Sequence, residues 1–278
     1  MMTEPPTLED LARQAVDGDR DARDRLITHL QSDVYGLALR MLWNREDAED
    51  ATQEILVRVV TRLTQFNFQS KLTTWVYRIA VNYILDVKKS PVERMQLNFQ
   101  GFADDLADGL SSGGPADAEH SLLTEEVKIG CTLGMLQCLD RPHRLAYVLG
   151  EILELPGPEA AEALGITPEL FRKRLQHART AIESFTRAYC GLASDSAACA
   201  CHRRVEAALR LGRIRKDAFD FAHRPASYQE TRTFVRRVEY ARWALEVHRS
   251  SRARGSSVDF ARRLAGSLDA PEEPGSKR

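Results

Sequence analysis

Residues 154–180, ELPGPEAAEALGITPELFRKRLQHART, contain two short helical patterns hinged at a glycine. The spacing predicts a short helix over 158–164, with Ala161 and Leu164 facing inward. Gly165 suits the positive φ of a tight turn, and Ile166 plugs the gap between the helices. Thr167 is a good N-cap, and Pro168 follows at the first helical position, where its missing N–H costs nothing. The next helix carries Phe171, Leu175 and Ala178 inward, with Arg172, Lys173, Arg174, His177 and Arg179 elsewhere. This reads as a helix-turn-helix with a basic second helix, a shape suited to the DNA major groove. Its N-terminal residues would meet base edges while its arginines grip phosphates. An ordinary helical hairpin with a solvated basic face is the competing reading. Cap, turn glycine and one-sided charge together favour DNA.

Outward from this motif, the 278-residue chain is 43% hydrophobic and 28% charged, an ordinary balance for one or two modest cores. No run of about 18 apolar residues exists, which excludes a membrane span. The start, MMTEPPTLEDLARQ, is acidic and lacks the apolar core of a secretory signal. Five cysteines, two of them (Cys131 and Cys138) in a helix-like apolar stretch, argue against a disulfide framework and make the cytoplasm the expected compartment. The formal net charge of −1 conceals an asymmetry. Residues 101–126 hold seven acids and no Lys or Arg, whereas residues 202–254 hold fourteen Lys or Arg against six acids. Blocks of one sign suggest separate partners for separate parts.

Helical periodicity is almost continuous over residues 8–63, with Leu26, Leu30, Val34, Leu37 and Met41 on one face. A helix from about Asp47 carries Ile55, Val59 and Leu63 inward, and another from about Leu72 to Lys88 carries Trp75, Ile79, Val81 and Leu85 inward. Pro91 ends this unit. Low periodicity and the tract SSGGP (111–115) predict a flexible acidic linker. Helical pattern resumes near Leu122 and runs to about Tyr189, and no strand-type alternation of useful length appears. The fold class is all-α: two small helical domains, a linker, and a mostly helical extension with a disordered tail.

Two further stretches, REDAEDATQEILVRVV (45–60) and FQSKLTTWVYRIAVNYILDVKKS (68–90), precede the helix-turn-helix. In this order and spacing the three resemble the sigma-70 family of bacterial RNA polymerase subunits, most closely its small two-domain extracytoplasmic function (ECF) group. The resemblance covers about residues 20–92 and 125–188. It implies residues 1–92 as sigma region 2, 93–124 as linker, 125–189 as region 4 and 190–278 as an added extension. It further implies a protein that binds core RNA polymerase and directs promoter recognition and DNA melting, with no catalysis of its own. No G-x-S-x-G, P-loop or H-E-x-x-H pattern occurs.

By the same resemblance, the helix bearing Asp47, Glu49, Asp50, Gln53, Glu54 and Arg58 docks on the polymerase clamp. A solvated acidic helix start, favoured by the helix dipole, competes with that reading. The second stretch resembles the part that opens and reads the −10 element. Asn67, Gln69, Ser70 and Lys71 lie in a loop that would hold a flipped base, and Tyr77, Arg78, Asn82, Tyr83, Lys88 and Lys89 could stack or contact phosphate. Thr167, Pro168, Glu169, Arg172, Lys173, Arg174, His177 and Arg179 fall on the −35-reading motif. Leu170, where relatives often have a small polar residue, could meet only a thymine methyl, so the −35 sequence is not legible. The acidic linker would run toward the polymerase cleft in place of nucleic acid.

The extension opens with CGLASDSAACACHRR (190–204). Cys190, Cys199, Cys201 and His202 could hold Zn, and three thiolates alone would suit Cu(I). Cys190 could instead form a reversible disulfide with Cys199 or Cys201, or all three could be reduced bystanders. No cofactor is required for the main reading. An anti-sigma factor or a metal ion joins core polymerase and promoter DNA among the partners considered. A stand-alone helix-turn-helix regulator and a metal- or redox-sensing DNA-binding protein are the alternatives.

Overall fold

Helices follow one another through the described part of the chain, residues 5–87, 91–111, 118–194 and 196–216 of a computed structural model. They are α1 (Leu8–Val16), α2 (Arg20–Leu42), α3 (Arg45–Thr61), α4 (Leu72–Asp86), α5 (Pro91–Arg94) and α6 (Phe99–Ala107). After them come α7 (Ala118–Gln137), α8 (Arg141–Tyr147), α9 (Gly157–Leu164), α10 (Pro168–Tyr189) and α11 (Cys201–Arg210). No strand occurs among the described residues, so the all-α expectation holds. None of these helices is long and apolar enough to cross a membrane.

Capping side chains set the starts. Thr7 and Asp10 form a reciprocal capping box at α1, Asp19 caps α2, and Asn44 accepts from the Asp47 N–H at 2.8 Å to start α3. Lys71 offers α4 no side-chain cap; instead Glu9 of α1 accepts from the Leu72 N–H at 2.9 Å. That acceptor stands 63 positions upstream, out of reach of any local reading.

The apolar faces of α1–α4 meet as the periodicity predicts, burying Leu26, Leu30, Val34, Leu37, Met41, Ile55 and Val59. Ile79 and Val81 are buried as expected, but Leu85 is 44% exposed, because the buried side of α4 is completed by Val76, Ala80 and Ile84. The same buried cluster continues without a break through α6, α7, α8, α9 and α10 as far as Leu192. The two expected helical units therefore share one core.

Two elements correct the linker expected to be flexible over 93–124 in its first part, whereas residues 112–117, with most of the SSGGP tract, lie outside the described residues. Glu93 of α5 is buried, and α6 forms behind an Asn98 cap that accepts from the Gly101 N–H at 2.9 Å. Phe102, Ala103 and Leu106 turn inward, with the Phe99 and Phe102 rings 5.3 and 5.5 Å from that of Phe185 on α10. A nine-residue helix among small and acidic residues carries little periodic signal, and its aromatic partner lies far along the sequence. Helix α7 also starts earlier than Leu122. Gly134 on α7 lets Trp43 and Phe102 close in; an added Cβ would stand 3.2 Å from each.

Charged anchors fix the seam. Arg141 forks onto Glu93 at 2.9 and 2.7 Å and donates to the Ile84 and Val87 carbonyls at 2.7 and 2.9 Å. Gln137 donates to the Arg40 carbonyl at 3.1 Å. The extension docks as well: Val205, Ala208 and Ile214 form a second small cluster with Leu123 of α7. The other extension residues expected to dock, Phe219, Phe221, Phe234, Val238, Trp243 and Leu245, lie outside the described residues.

Candidate polymerase and nucleic-acid interfaces

Helix α3 turns Ala48, Ala51, Thr52, Ile55, Leu56 and Val59 inward, which leaves its acidic side for solvent. Asp47, Asp50 and Glu54 are exposed, while Glu49, Gln53 and Arg58 are partly covered. Glu49 accepts from Arg45 one turn earlier at 3.0 Å, an i,i+4 pair that stiffens the helix start. Arg58 lies 4.7 Å over the ring of Tyr83 on α4. The helix expected to meet polymerase and the helix expected to meet DNA are thus joined by a cation–π contact.

The loop between α3 and α4 is held from beneath by aromatics. Phe66 is buried and stands 4.6 Å from Phe68 and 5.4 Å from Trp75, centroid to centroid. Phe68 takes a left-handed backbone, φ 58°, and Arg13 of α1 sits 4.5 Å over its ring. Asn67 Oδ1 accepts from the Gln69 N–H at 3.1 Å, which shapes the turn. Asn67, Gln69 and Lys71 remain exposed, with Ser70 partly so. This gives a fixed frame with polar side chains on its outer surface.

On α4, Arg78 and Asn82 are exposed as expected. Tyr77 is not: it is 6% exposed, and burial, with the Asp33 carboxylate nearby, pushes its phenol well above the usual range. The broad apolar face of α4 captures it, so it offers no stacking surface. Tyr83 is half-covered, and burial followed by the Glu54 carboxylate raises its pKa against the opposing Arg58. Lys88 and Lys89 lie outside the described residues.

The helix-turn-helix forms as read, one residue longer at its start. Gly165 takes φ +63°, Thr167 accepts from the Leu170 N–H at 3.3 Å, and Pro168 opens α10. Phe171 and Ala178 are buried and Leu175 partly so. Before α9 the backbone widens into a π turn over Val148–Ile152. Gly150 in that turn admits α10: a Cβ there would lie 3.0 Å from Phe171 and 3.1 Å from Leu175.

Along the outer side of α10, Thr167, Pro168, Glu169, Arg172, Lys173 and His177 are exposed and Arg174 is partly covered. Glu169 and Arg172 pair at 3.4 Å, an exposed contact worth little. The His177 ring stands 4.5 Å from that of His143, which itself bonds Asp140 at 2.6 Å. Arg179 is a correction. It donates to Glu151 in the π turn, Nε at 2.9 Å with a second contact from Nη2, and so braces the motif from within.

The cysteines gather around the end of α10. Cys190 and Cys199 pair backbone to backbone in an isolated parallel bridge, with the Gly191 N–H donating to the Cys199 carbonyl at 2.9 Å. Cys201 opens α11, and Cys131 of α7, absent from the sequence-based set, lies within electrostatic reach of all three. His202 instead neighbours His120 and Arg203 electrostatically, and burial leads in lowering its pKa. Among the described residues no three or more His, Cys, Asp or Glu are arranged to hold a metal ion.

Residues 26–90 match the Sigma-70 region 2 family. Over 178 residues the chain is 31% identical to the ECF RNA polymerase sigma factor SigW of Bacillus subtilis (strain 168), covering 61% of this chain and 91% of the relative. The chain belongs to the sigma-70 family, in its ECF group. This sigma factor is also 28% identical over 188 residues to the ECF RNA polymerase sigma-E factor of Escherichia coli (strain K12), covering 66% of it and 96% of that relative. A solved structure of CnrH in complex with the cytosolic domain of CnrY is 20% identical, with TM-score 0.46, covering 63% of this chain and 93% of that one. As a sigma factor the protein binds DNA and acts with RNA polymerase in transcription initiation. A stand-alone regulator and a DNA-binding metal or redox sensor are the less favoured readings. A third or more of the chain lies outside the matches to these two curated relatives.

Proposed function

We propose that this sigma factor divides its work among three surfaces and is regulated by its C-terminal extension. The exposed acidic side of α3, Asp47, Asp50 and Glu54 with Glu49, Gln53 and Arg58 at its margins, docks on the core enzyme. The loop from Asn67 to Lys71, with Arg78 and Asn82 beyond it, captures a flipped −10 base and the melted strand. The exposed side of α10, from Thr167 to His177, enters the −35 major groove.

The observation that carries this reading is the loop frame. Phe66, Phe68, Trp75 and Arg13 hold the backbone while Asn67, Gln69 and Lys71 stay exposed. Capturing an extruded base costs a few kcal/mol of unstacking, and a preformed rim of amide and hydroxyl groups offsets that cost without first having to order itself. RNA synthesis itself belongs to the other polymerase subunits.

The test is transcription reconstituted from core polymerase and this chain on a library of promoter sequences. The expected result is selective initiation with a preferred base pattern in both elements. Initiation with a −35 preference and none at −10 would remove the loop from the reading.

A further inference from the structure

Helix α10 keeps its buried and its open sides as two well-separated stripes. Phe171, Ala178 and Ile182 are buried along one of them. At about 100° of turn per residue, the opposite stripe runs through Glu169, Lys173, Gln176 and Thr180, and all four are exposed. This is the side proposed above to enter the −35 major groove. Gln176 stands eight residues along from Pro168, which at about 1.5 Å of rise each is about 12 Å. The major groove is about 12 Å wide, so a helix entering by its N-terminal end still has Gln176 between the groove walls.

Most polar side chains on this part of the helix are engaged elsewhere. The Thr167 hydroxyl accepts from the Leu170 N–H at 3.3 Å as the cap, and Glu169 pairs with Arg172 at 3.4 Å. Arg179 is turned back onto Glu151, and the His177 ring stands 4.5 Å from that of His143. Lys173 is exposed, but an ammonium on a flexible stem recognises charge rather than the edge of a particular base pair. Gln176 differs in carrying a donor and an acceptor on one planar amide.

That amide is also aligned. Gln176 Nε2 donates to Thr180 Oγ1, one turn further along, at 3.3 Å. The bond stays within α10, so it braces the side chain without drawing it toward the core. With one Nε2 hydrogen used, the carbonyl oxygen and the second N–H remain. Those two groups match the major-groove edge of adenine, whose N6 amino group donates and whose N7 accepts. Guanine presents two acceptors there, cytosine a donor alone, and thymine an acceptor beside a methyl group, so adenine is the base that satisfies both. A glutamine loses much rotamer freedom on binding, and the Thr180 bond removes part of that loss before DNA arrives.

We propose that Gln176 selects adenine at one position of the −35 element, reading N6 and N7 with its amide, and that Thr180 is its positioning residue. This role rests on the −35 assignment of α10 and deepens it by naming a base and the side chain that chooses it. It gives the motif a base-specific contact that arginines gripping phosphate do not supply.

The test uses holoenzyme assembled from core polymerase and the full chain, on promoter duplexes with a fixed −10 element and a randomised −35 element. Bound and unbound pools are sequenced for wild type, Gln176→Ala and Thr180→Val. Wild type should favour adenine at one −35 position, and Gln176→Ala should flatten that preference about tenfold while the other positions keep theirs. Thr180→Val should keep adenine as the favoured base with a preference about two- to fivefold weaker. A duplex with 7-deazaadenine at that position lacks the N7 acceptor and isolates the contact. It should bind wild type about two- to tenfold more weakly than the adenine duplex, and Gln176→Ala no more weakly. Equal preferences at every position in wild type and Gln176→Ala, or an equal 7-deazaadenine penalty in both, would overturn the role of Gln176 alone. A wild-type holoenzyme that selects no base anywhere in the −35 element would overturn the −35 assignment of α10 and this role with it.

Discussion

Arg144 of α8 is 3% exposed and donates to Glu93 at 3.1 Å, 51 positions upstream. The rest of its guanidinium is spent on main chain, with Nη1 to the Met41 carbonyl at 2.6 Å, Nε to Leu136 at 2.9 Å and Nη2 to Leu139 at 2.9 Å. One planar fork thus ties the end of α2, the end of α7 and the former linker. Removing it strands buried carbonyls and takes from the buried Glu93 carboxylate one of its two guanidinium partners, so Arg144→Met should cost about 3 kcal/mol, read as a lowered denaturant midpoint. Arg144→Lys should recover little, because a single ammonium cannot satisfy groups in those directions.

Gly150 gives a sharper handle on the −35 unit. Its missing Cβ is the space taken by Phe171 and Leu175, and Phe171 is 2% exposed with no room to retreat. Gly150→Val should cost about 1–3 kcal/mol by overpacking. It should also weaken binding to −35 DNA while leaving polymerase affinity close to wild type. Filter binding or anisotropy with a −35 duplex, set beside core titration, separates the two effects.

The order of surprises has a physical pattern. Elements with a local cause were legible: caps at Thr167 and the turn at Gly165 act within three residues, and the faces of α2 and α3 repeat over many turns. Tyr77 was misread because α4 is apolar almost all round, so periodicity cannot say how wide its buried face is. Arg179, Glu93 and Asp105 were invisible in role because their partners, Glu151, Arg141 with Arg144, and Arg204 with Arg213, are set by tertiary packing. Cys131 joined the cysteine group for the same reason, since nothing in its local spacing points toward α11. Among site residues, segments could be found from motifs while the availability of single side chains could not.

The thiols should be slow reagents. Burial pushes Cys138 up to about 12 against the nearby Arg144. Burial also pushes Cys190 up to about 12, opposed by hydrogen bonds from the Leu192 and Ala193 N–H groups. Burial, followed by the neighbouring Cys190 and Cys199, raises Cys131 and Cys201 well above the ordinary value. The thiolate is the nucleophile, so native protein at pH 8 should take up iodoacetamide at Cys138 and Cys190 far more slowly than the unfolded chain. Linkage follows the same direction. The folded state holds these protons more tightly than the unfolded chain, whose thiols titrate near about 8.5. The stability they contribute is present below that value and is lost as pH rises toward about 12. Melting temperature should fall through this window, and less steeply in Cys138→Ala. Fast native labelling of all five cysteines would contradict the burial that organises this end of the fold.

Polymerase docking and promoter opening should separate by mutation. Asp50 and Glu54 are exposed on the side of α3 opposite its buried stripe, so Asp50→Arg/Glu54→Arg should leave the fold intact and reduce core affinity at least about tenfold. Gln69 is exposed on the loop, and its side chain is not part of the turn that Asn67 makes with its N–H. Gln69→Ala should therefore keep core affinity while slowing open-complex formation about tenfold, as expected for one lost base-edge contact of about 1–3 kcal/mol. Permanganate reactivity of melted thymines, measured at saturating holoenzyme, reports the second step without the first. If Gln69→Ala opens promoters at the wild-type rate, the base-reading role moves off this side chain to Asn67 or Ser70. If all three alanine variants open normally, the frame built by Phe66, Phe68 and Trp75 serves packing alone.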